Sequence, residues 1–185
     1  MSATDDGVGV VLAGGRSRRM GRDKALLEWQ GRTLLDHAIA RFRDAGFKTV
    51  VVSGDRPEHG GLRDLYPDAG PLSGLHAAAC AFRERWLVAV SVDMPRLPAQ
   101  WLRLLARQSG HADAAHYAGT PLPLAMRTGA RTIAALETRL RDPSSSRALY
   151  DWLQAIAAEA LPLPAHAGDA LMNVNTPSEW ETMRA

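Results

Sequence analysis

Apolar residues in this chain alternate between short unbroken runs and stretches with helical spacing. Val8-Gly9-Val10-Val11-Leu12 is one such run, and a continuous run of this length predicts a strand buried on both faces of a parallel sheet. Residues 47–52 and 87–92 carry two more. Between the first two, Leu34, Leu35, Ala38, Ile39 and Phe42 recur with a period that places them on one face of a helix over 33–43. Thr33 is positioned to cap it, with Asp36 as a capping-box partner, and Gly46 to stop it.

The alternation continues along the chain. Residues 58–73 are irregular, 75–85 read as a helix, and Pro98 opens a helix that runs to Gln108. Residues 112–117 and 123–126 read as short strands. Helices follow over 130–141 and 144–159, separated by Pro143, then a last strand over 171–174 and a last helix over 177–184. Strands alternating with helices predict an α/β fold: one Rossmann-like three-layer sandwich over residues 1–185, with a mostly parallel central sheet. Residues 1–7 are polar and read as a flexible start. In such sheets the ligand crevice lies off the carboxyl ends of the strands. That directs attention to the loops 13–24, 53–57 and 93–96.

Composition narrows the setting. The chain has 185 residues, 46% hydrophobic and 23% charged, with a net charge of +2, so it can bury a core of ordinary size without staples. The single cysteine, Cys80, excludes an internal disulfide, and a reducing, cytoplasmic location is expected. No apolar stretch approaches the ~20 residues of a membrane span, so no membrane partner is expected. Five scattered tryptophans and six histidines without metal-ligand spacing read as packing and surface residues, and nucleic acid is not expected as a partner.

The concentrated chemistry lies in Leu12-Ala13-Gly14-Gly15-Arg16-Ser17-Arg18-Arg19-Met20-Gly21-Arg22-Asp23-Lys24. Glycines let a ligand approach the backbone, and their N–H groups can face phosphate oxygens. Four arginines and one lysine against Asp23 supply the forks and point charge that hold a triphosphate. The spacing matches neither G-x-x-x-x-G-K-[ST] nor the dinucleotide G-x-G-x-x-G. The residues by themselves thus leave two readings open, phosphate binding and a basic surface turn.

The string Leu12 to Lys24 resembles, at every defined position, the signature of the MobA-type NTP transferases, the molybdenum cofactor guanylyltransferases. Further segments resemble the same family: Gly70-Pro71-Leu72-Ser73-Gly74, Asp93-Met94-Pro95 and Asn173-Val174-Asn175-Thr176-Pro177. The resemblance implies a nucleotide-diphospho-sugar transferase-like fold. It implies that Leu12, Ala13, Gly14 and Gly15 contact the nucleotide, that Lys24 reaches the phosphates with Arg19 as a second cation, and that Asp93 holds Mg²⁺. Asp23 orients these cations or supports the metal. Ser53 stands where some members have a nucleotide-contacting Asn, and Asp64 competes with Asp68 for a further nucleotide contact. Asn175 is a candidate for the metal or the acceptor phosphate, and 121–125 and 146–147 are candidates for reading the acceptor.

The implied reaction is attack by the terminal phosphate of molybdopterin, or of the molybdenum cofactor, on the α-phosphorus of GTP, with pyrophosphate leaving. Related cytidylyltransferases carry Ala-Ala-Gly where this chain has Ala13-Gly14-Gly15, which favours guanine over cytosine. Transient contact with cofactor-biosynthesis proteins or molybdoenzymes goes with that role. The alternatives are cytidylyl transfer to the same acceptor, transfer to a sugar or alditol phosphate, and a non-catalytic nucleotide-binding regulator.

Overall fold

The computed structural model describes residues 6–14, 23–108, 112–164 and 167–184. β1 (Val8–Leu12) is buried at all five positions, as its unbroken apolar run requires. It pairs in parallel with β4 (Thr49–Ser53) on one side and β5 (Trp86–Ser91) on the other. β1 therefore lies where the winding reverses, and the crevice of the sheet opens beyond its carboxyl end.

Helices cover both faces. α1 (Leu34–Asp44) packs against β1 and β4, and so does α2 (Pro71–Ala81). An added Cβ on Gly9 would point into the Phe42 ring of α1, whereas the Leu12 side chain meets Gly74 of α2. Positions three apart on a strand face opposite ways, so α1 and α2 lie on opposite sides. α3 (Ala99–Gln108) joins α1, and α4 (Ala130–Arg141) joins α2. Fully buried Phe42, Leu35, Leu72 and Leu75 fill the two interfaces, each worth roughly 1.5–3 kcal/mol on burial. The Thr33 cap forms as expected, its Oγ1 accepting the Asp36 N–H at 3.0 Å.

The far half of the sheet is mixed. β6 (Ala114–Tyr117) and β7 (Leu124–Arg127) form a hairpin, and β7 runs antiparallel to both β6 and β5. The six strands lie in the order β4-β1-β5-β7-β6-β8, the last being Glu159–Leu161, with β7 alone reversed, because the loop before it is too short for a crossover. No helix among the described residues is long and apolar enough to cross a membrane.

Several boundaries differ from the pattern reading. The expected helix over 144–159 is only α5 (Leu149–Ala155), followed by β8 (Glu159–Leu161) pairing in parallel with β6. Asp142 explains the late start: its carboxylate accepts from Ser144 N–H, Ser144 Oγ and Ser145 Oγ, a local network that competes with helix. α2 begins at Pro71 rather than 75, since Gly70 at φ +69 turns the chain and proline suits the first turn. It ends at Ala81 rather than 85. The segment 171–174 is no strand: a 3-10 turn, Gly168–Leu171, leads into extended chain outside the sheet. A small hairpin of β2 (Glu28–Trp29) and β3 (Arg32–Thr33) went unforeseen. α6 (Pro177–Arg184) closes the chain as expected.

Candidate active site

Three strand ends meet in the crevice. Leu12 stands opposite Ser53 of β4 and Ser91 of β5. The ladder runs one residue further, Ala13 N–H donating to the Ser53 carbonyl at 3.1 Å and Val92 N–H to the Leu12 carbonyl at 3.2 Å. Leu12, Ala13 and Gly14 thereby line an open cleft with Lys24, Ser91 and Asp93. Gly54 sits at φ +116, and a Cβ there would lie 2.9 Å from the Gly14 Cα. The two backbones touch at a point where only glycine fits.

Lys24 is the centre of the cleft. It opens a short 3-10 turn, Lys24–Leu26, whose Ala25 N–H is capped by Asp23 Oδ1 at 3.0 Å. Its Nζ donates to Asp93 Oδ2 at 3.0 Å and to Asn175 Oδ1 at 2.8 Å. Residues 69 and 151 positions away in sequence thus converge on one ammonium. The Lys24 and Asp93 side chains are only 14% and 11% exposed, so each holds the other's charge in place of water.

Asp93 has a second oxygen, Oδ1, which is buried and has no hydrogen-bond partner among the described residues. A buried carboxylate oxygen left unpaired is costly, and such a position suits a ligand cation. Among the described residues no three His, Cys, Asp or Glu side chains gather as a metal cage. One carboxylate of this kind fits Mg²⁺, which takes one or two carboxylates and completes its shell with water and ligand oxygens.

Asn175 is held from behind. Its backbone N–H donates to Glu179 Oε2 at 2.6 Å and Thr176 N–H to the same oxygen at 2.9 Å, while Glu179 N–H donates to Thr176 Oγ1 at 3.2 Å. This is a capping box at the start of α6, and these bonds, the Asn175 N–H foremost, lower the Glu179 pKa. Val174 N–H reaches the Asp93 carbonyl at 3.0 Å. The cap therefore also positions Asn175.

Ser53 and Asp64 meet beside Gly14. The buried Ser53 Oγ donates to Asp64 Oδ1 at 3.4 Å, and Asp64 Oδ2 lies 3.4 Å from where a Gly14 Cβ would sit. Burial raises the Asp64 pKa. Asp68 is exposed, at φ +60, so the geometry brings Asp64, rather than Asp68, to the loop. The Asp23 carboxylate pairs with Arg56, which lowers its pKa, and Asp23 Oδ1 also caps the turn that carries Lys24. Arg56 lies in the loop 53–57, where the sequence gives no signal that singles it out. Gly15 and Arg19 lie outside the described residues. Of the acceptor candidates, Leu122 to Ala125 are buried, and 146–147 are tied to Arg139 of α4 through Ser146 O and Arg147 Nη1.

An α/β sheet with a glycine loop, a lysine and a strand-end aspartate converging off β1 defines a nucleotidyltransferase. Residues 9–159 match the MobA-like NTP transferase domain. The chain is 43% identical over 176 residues to a molybdenum cofactor guanylyltransferase of Xanthomonas euvesicatoria pv. vesicatoria, covering 95% of this chain and 93% of that one. It is 34% identical over 192 residues to a probable molybdenum cofactor guanylyltransferase of Opitutus terrae, covering 95% and 94%. The chain belongs to the MobA-like NTP transferase family. Its fold is similar to that of molybdopterin-guanine dinucleotide biosynthesis protein A from Archaeoglobus fulgidus, with a TM-score of 0.78 at 19% identity over 96% of each chain. The fold is shared with 2-C-methyl-D-erythritol 4-phosphate cytidylyltransferase from Thermus thermophilus, at 0.68 and 17% over 95% and 96%.

Proposed function

We propose that the protein transfers GMP from GTP to the terminal phosphate of molybdopterin or the molybdenum cofactor, releasing pyrophosphate. The observation that carries this reading is Lys24 Nζ bridging Asp93 Oδ2 and Asn175 Oδ1 beside the glycine loop. The identity of the base and the acceptor follows the names of the relatives.

An oxygen of the acceptor phosphate forms a bond to the α-phosphorus. The bond from that phosphorus to the oxygen bridging to the β-phosphate breaks, and its electron pair leaves with pyrophosphate. A phosphate is largely ionised near neutral pH, so no side chain has to remove a proton. The protein's task is alignment and charge stabilisation. Leu12, Ala13 and Gly14 position the nucleotide through the close backbone, and Gly15 is assigned to the nucleotide with them. Lys24, assisted by Arg19, stabilises charge on the reacting and leaving phosphates. Ser53 and Asp64 bound the nucleotide beside Gly14. Asp93 would hold Mg²⁺, which when bound supplies Lewis-acid stabilisation of the phosphoryl oxygens. Asn175 contacts the acceptor phosphate or supports the metal.

Pyrophosphate release across GTP, CTP, ATP and UTP, with and without molybdopterin, tests the reading. Release with GTP only in the presence of molybdopterin supports it. Preference for CTP would make the protein a cytidylyltransferase, and nucleotide binding without release under any acceptor would remove catalysis altogether.

A further inference from the structure

Arg56 lies one turn beyond β4, and its backbone is locked before its side chain is considered. Arg56 N–H donates to the Gly54 carbonyl at 2.9 Å, and the Arg56 carbonyl accepts from Gly61 N–H at 2.8 Å and His59 N–H at 3.0 Å. A Cβ on Gly61 would lie 2.9 Å from the Arg56 nitrogen and carbonyl oxygen, so the turn has no room to relax. From this base the Arg56 side chain, only 11% exposed, reaches Asp23 and the Ala13 carbonyl. Both terminal nitrogens bond the Asp23 carboxylate, Nη2 at 2.7 Å, and Nη2 also donates to the Ala13 carbonyl at 3.2 Å.

Ala13 and Asp23 are the two ends of the glycine- and arginine-rich loop. One planar group holds both. Asp23 in turn caps the Ala25 N–H of the turn that carries Lys24. We infer that Arg56 is a positioning residue for nucleotidyl transfer, setting the span of the phosphate-binding loop and, through Asp23, the place of Lys24. Its guanidinium is committed to both Asp23 and the Ala13 carbonyl. A lysine could not replace it, because one ammonium nitrogen cannot make the two-nitrogen grip on the Asp23 carboxylate while also reaching the Ala13 carbonyl. The inference rests on the assignment of Lys24 to the phosphates.

The test is a double-mutant cycle on kcat/KM with GTP and molybdopterin, using Arg56→Ala, Lys24→Ala and the pair. A residue acting through Lys24 loses its effect once Lys24 is gone. Arg56→Ala should lower kcat/KM roughly 10- to 100-fold, the scale of an ångström-sized misplacement. The pair should be no slower than Lys24→Ala within about threefold. Added guanidinium should restore part of the Arg56→Ala rate and none of the Lys24→Ala rate, and Arg56→Lys should not rescue. If Arg56→Ala does not fold, Asp23→Asn enters the same cycle with the same non-additive result expected. Multiplicative effects in the pair would make Arg56 a direct phosphate ligand or a general stabiliser and overturn the inference. Near-wild-type activity of Arg56→Ala beside a slow Lys24→Ala overturns it alone. Full activity of Lys24→Ala overturns the phosphate assignment and this inference with it.

Discussion

Asp93 carries two oxygens with different partners, one on Lys24 and one buried without a hydrogen-bond partner among the described residues. Asp93→Asn keeps the shape and removes the charge, so the fold should persist while guanylyl transfer falls by about 100-fold or more. Circular dichroism and pyrophosphate release separate the two effects; full turnover would remove Asp93 from the chemistry. Asp64 makes the opposite trade. Its pKa is raised by burial, so the folded state holds its proton more tightly than the unfolded chain. Stability is then lost as pH rises from the ordinary carboxylate value through the raised one. Asp64→Asn should melt at or above the wild-type temperature at pH 7, with the advantage vanishing in acid, and should bind GTP more weakly. A variant that melts lower at pH 7 than at acid pH, relative to wild type, would contradict that sign.

Elements place these residues through close packing and caps. A Cβ on Gly74 of α2 would lie 2.1 Å from Ser53 Oγ and 3.1 Å from Leu12 Cδ2. Gly74→Ala therefore drives the helix off β4 or displaces Ser53. We expect a destabilisation of roughly 1–3 kcal/mol, measured by urea denaturation, together with weaker GTP binding. A stable variant with normal affinity would show that α2 does not set the Ser53 position. At α6, Thr176→Ala removes the cap hydroxyl, costing about 1 kcal/mol. Because the same box grips the Asn175 N–H, kcat/KM should fall further than a neutral cap change predicts. Helices such as α1 and α4 were legible because period and punctuation agree there. The helix expected over 144–159 was not, since apolar spacing is blind to a carboxylate that collects three serine hydrogen bonds. β8 escaped for a related reason: a three-residue edge strand carries too few positions for a period to show.

At the scale of the whole molecule, the crevice joins the ends of β1, β4 and β5 to the C-terminal segment. Ligand binding there should stabilise the entire fold by mass action. GTP with Mg²⁺ at about 100 times its Kd should add about 2.7 kcal/mol, or roughly 5–10 °C in melting temperature. Chelating the metal should remove much of that shift, and Lys24→Ala should shrink it. An equal shift with and without the metal would argue against Asp93 as its holder.

Most of the order of strands and helices and the three loops of the crevice were readable from the chain alone, and the family resemblance singled out Lys24, Asp93 and Asn175 as candidates. Those features are local: a buried strand needs an unbroken apolar run, and a phosphate loop needs glycine and cations close together in sequence. The tertiary structure decided what depends on contacts between distant residues. It brought Lys24 onto Asp93 and Asn175, set Asp64 rather than Asp68 beside Gly14, reversed β7 within the parallel sheet, and paired Asp23 with Arg56. No periodicity encodes such pairings, because the bond of a guanidinium to a carboxylate 33 positions away is specified by the meeting of two strand ends and not by spacing along the chain.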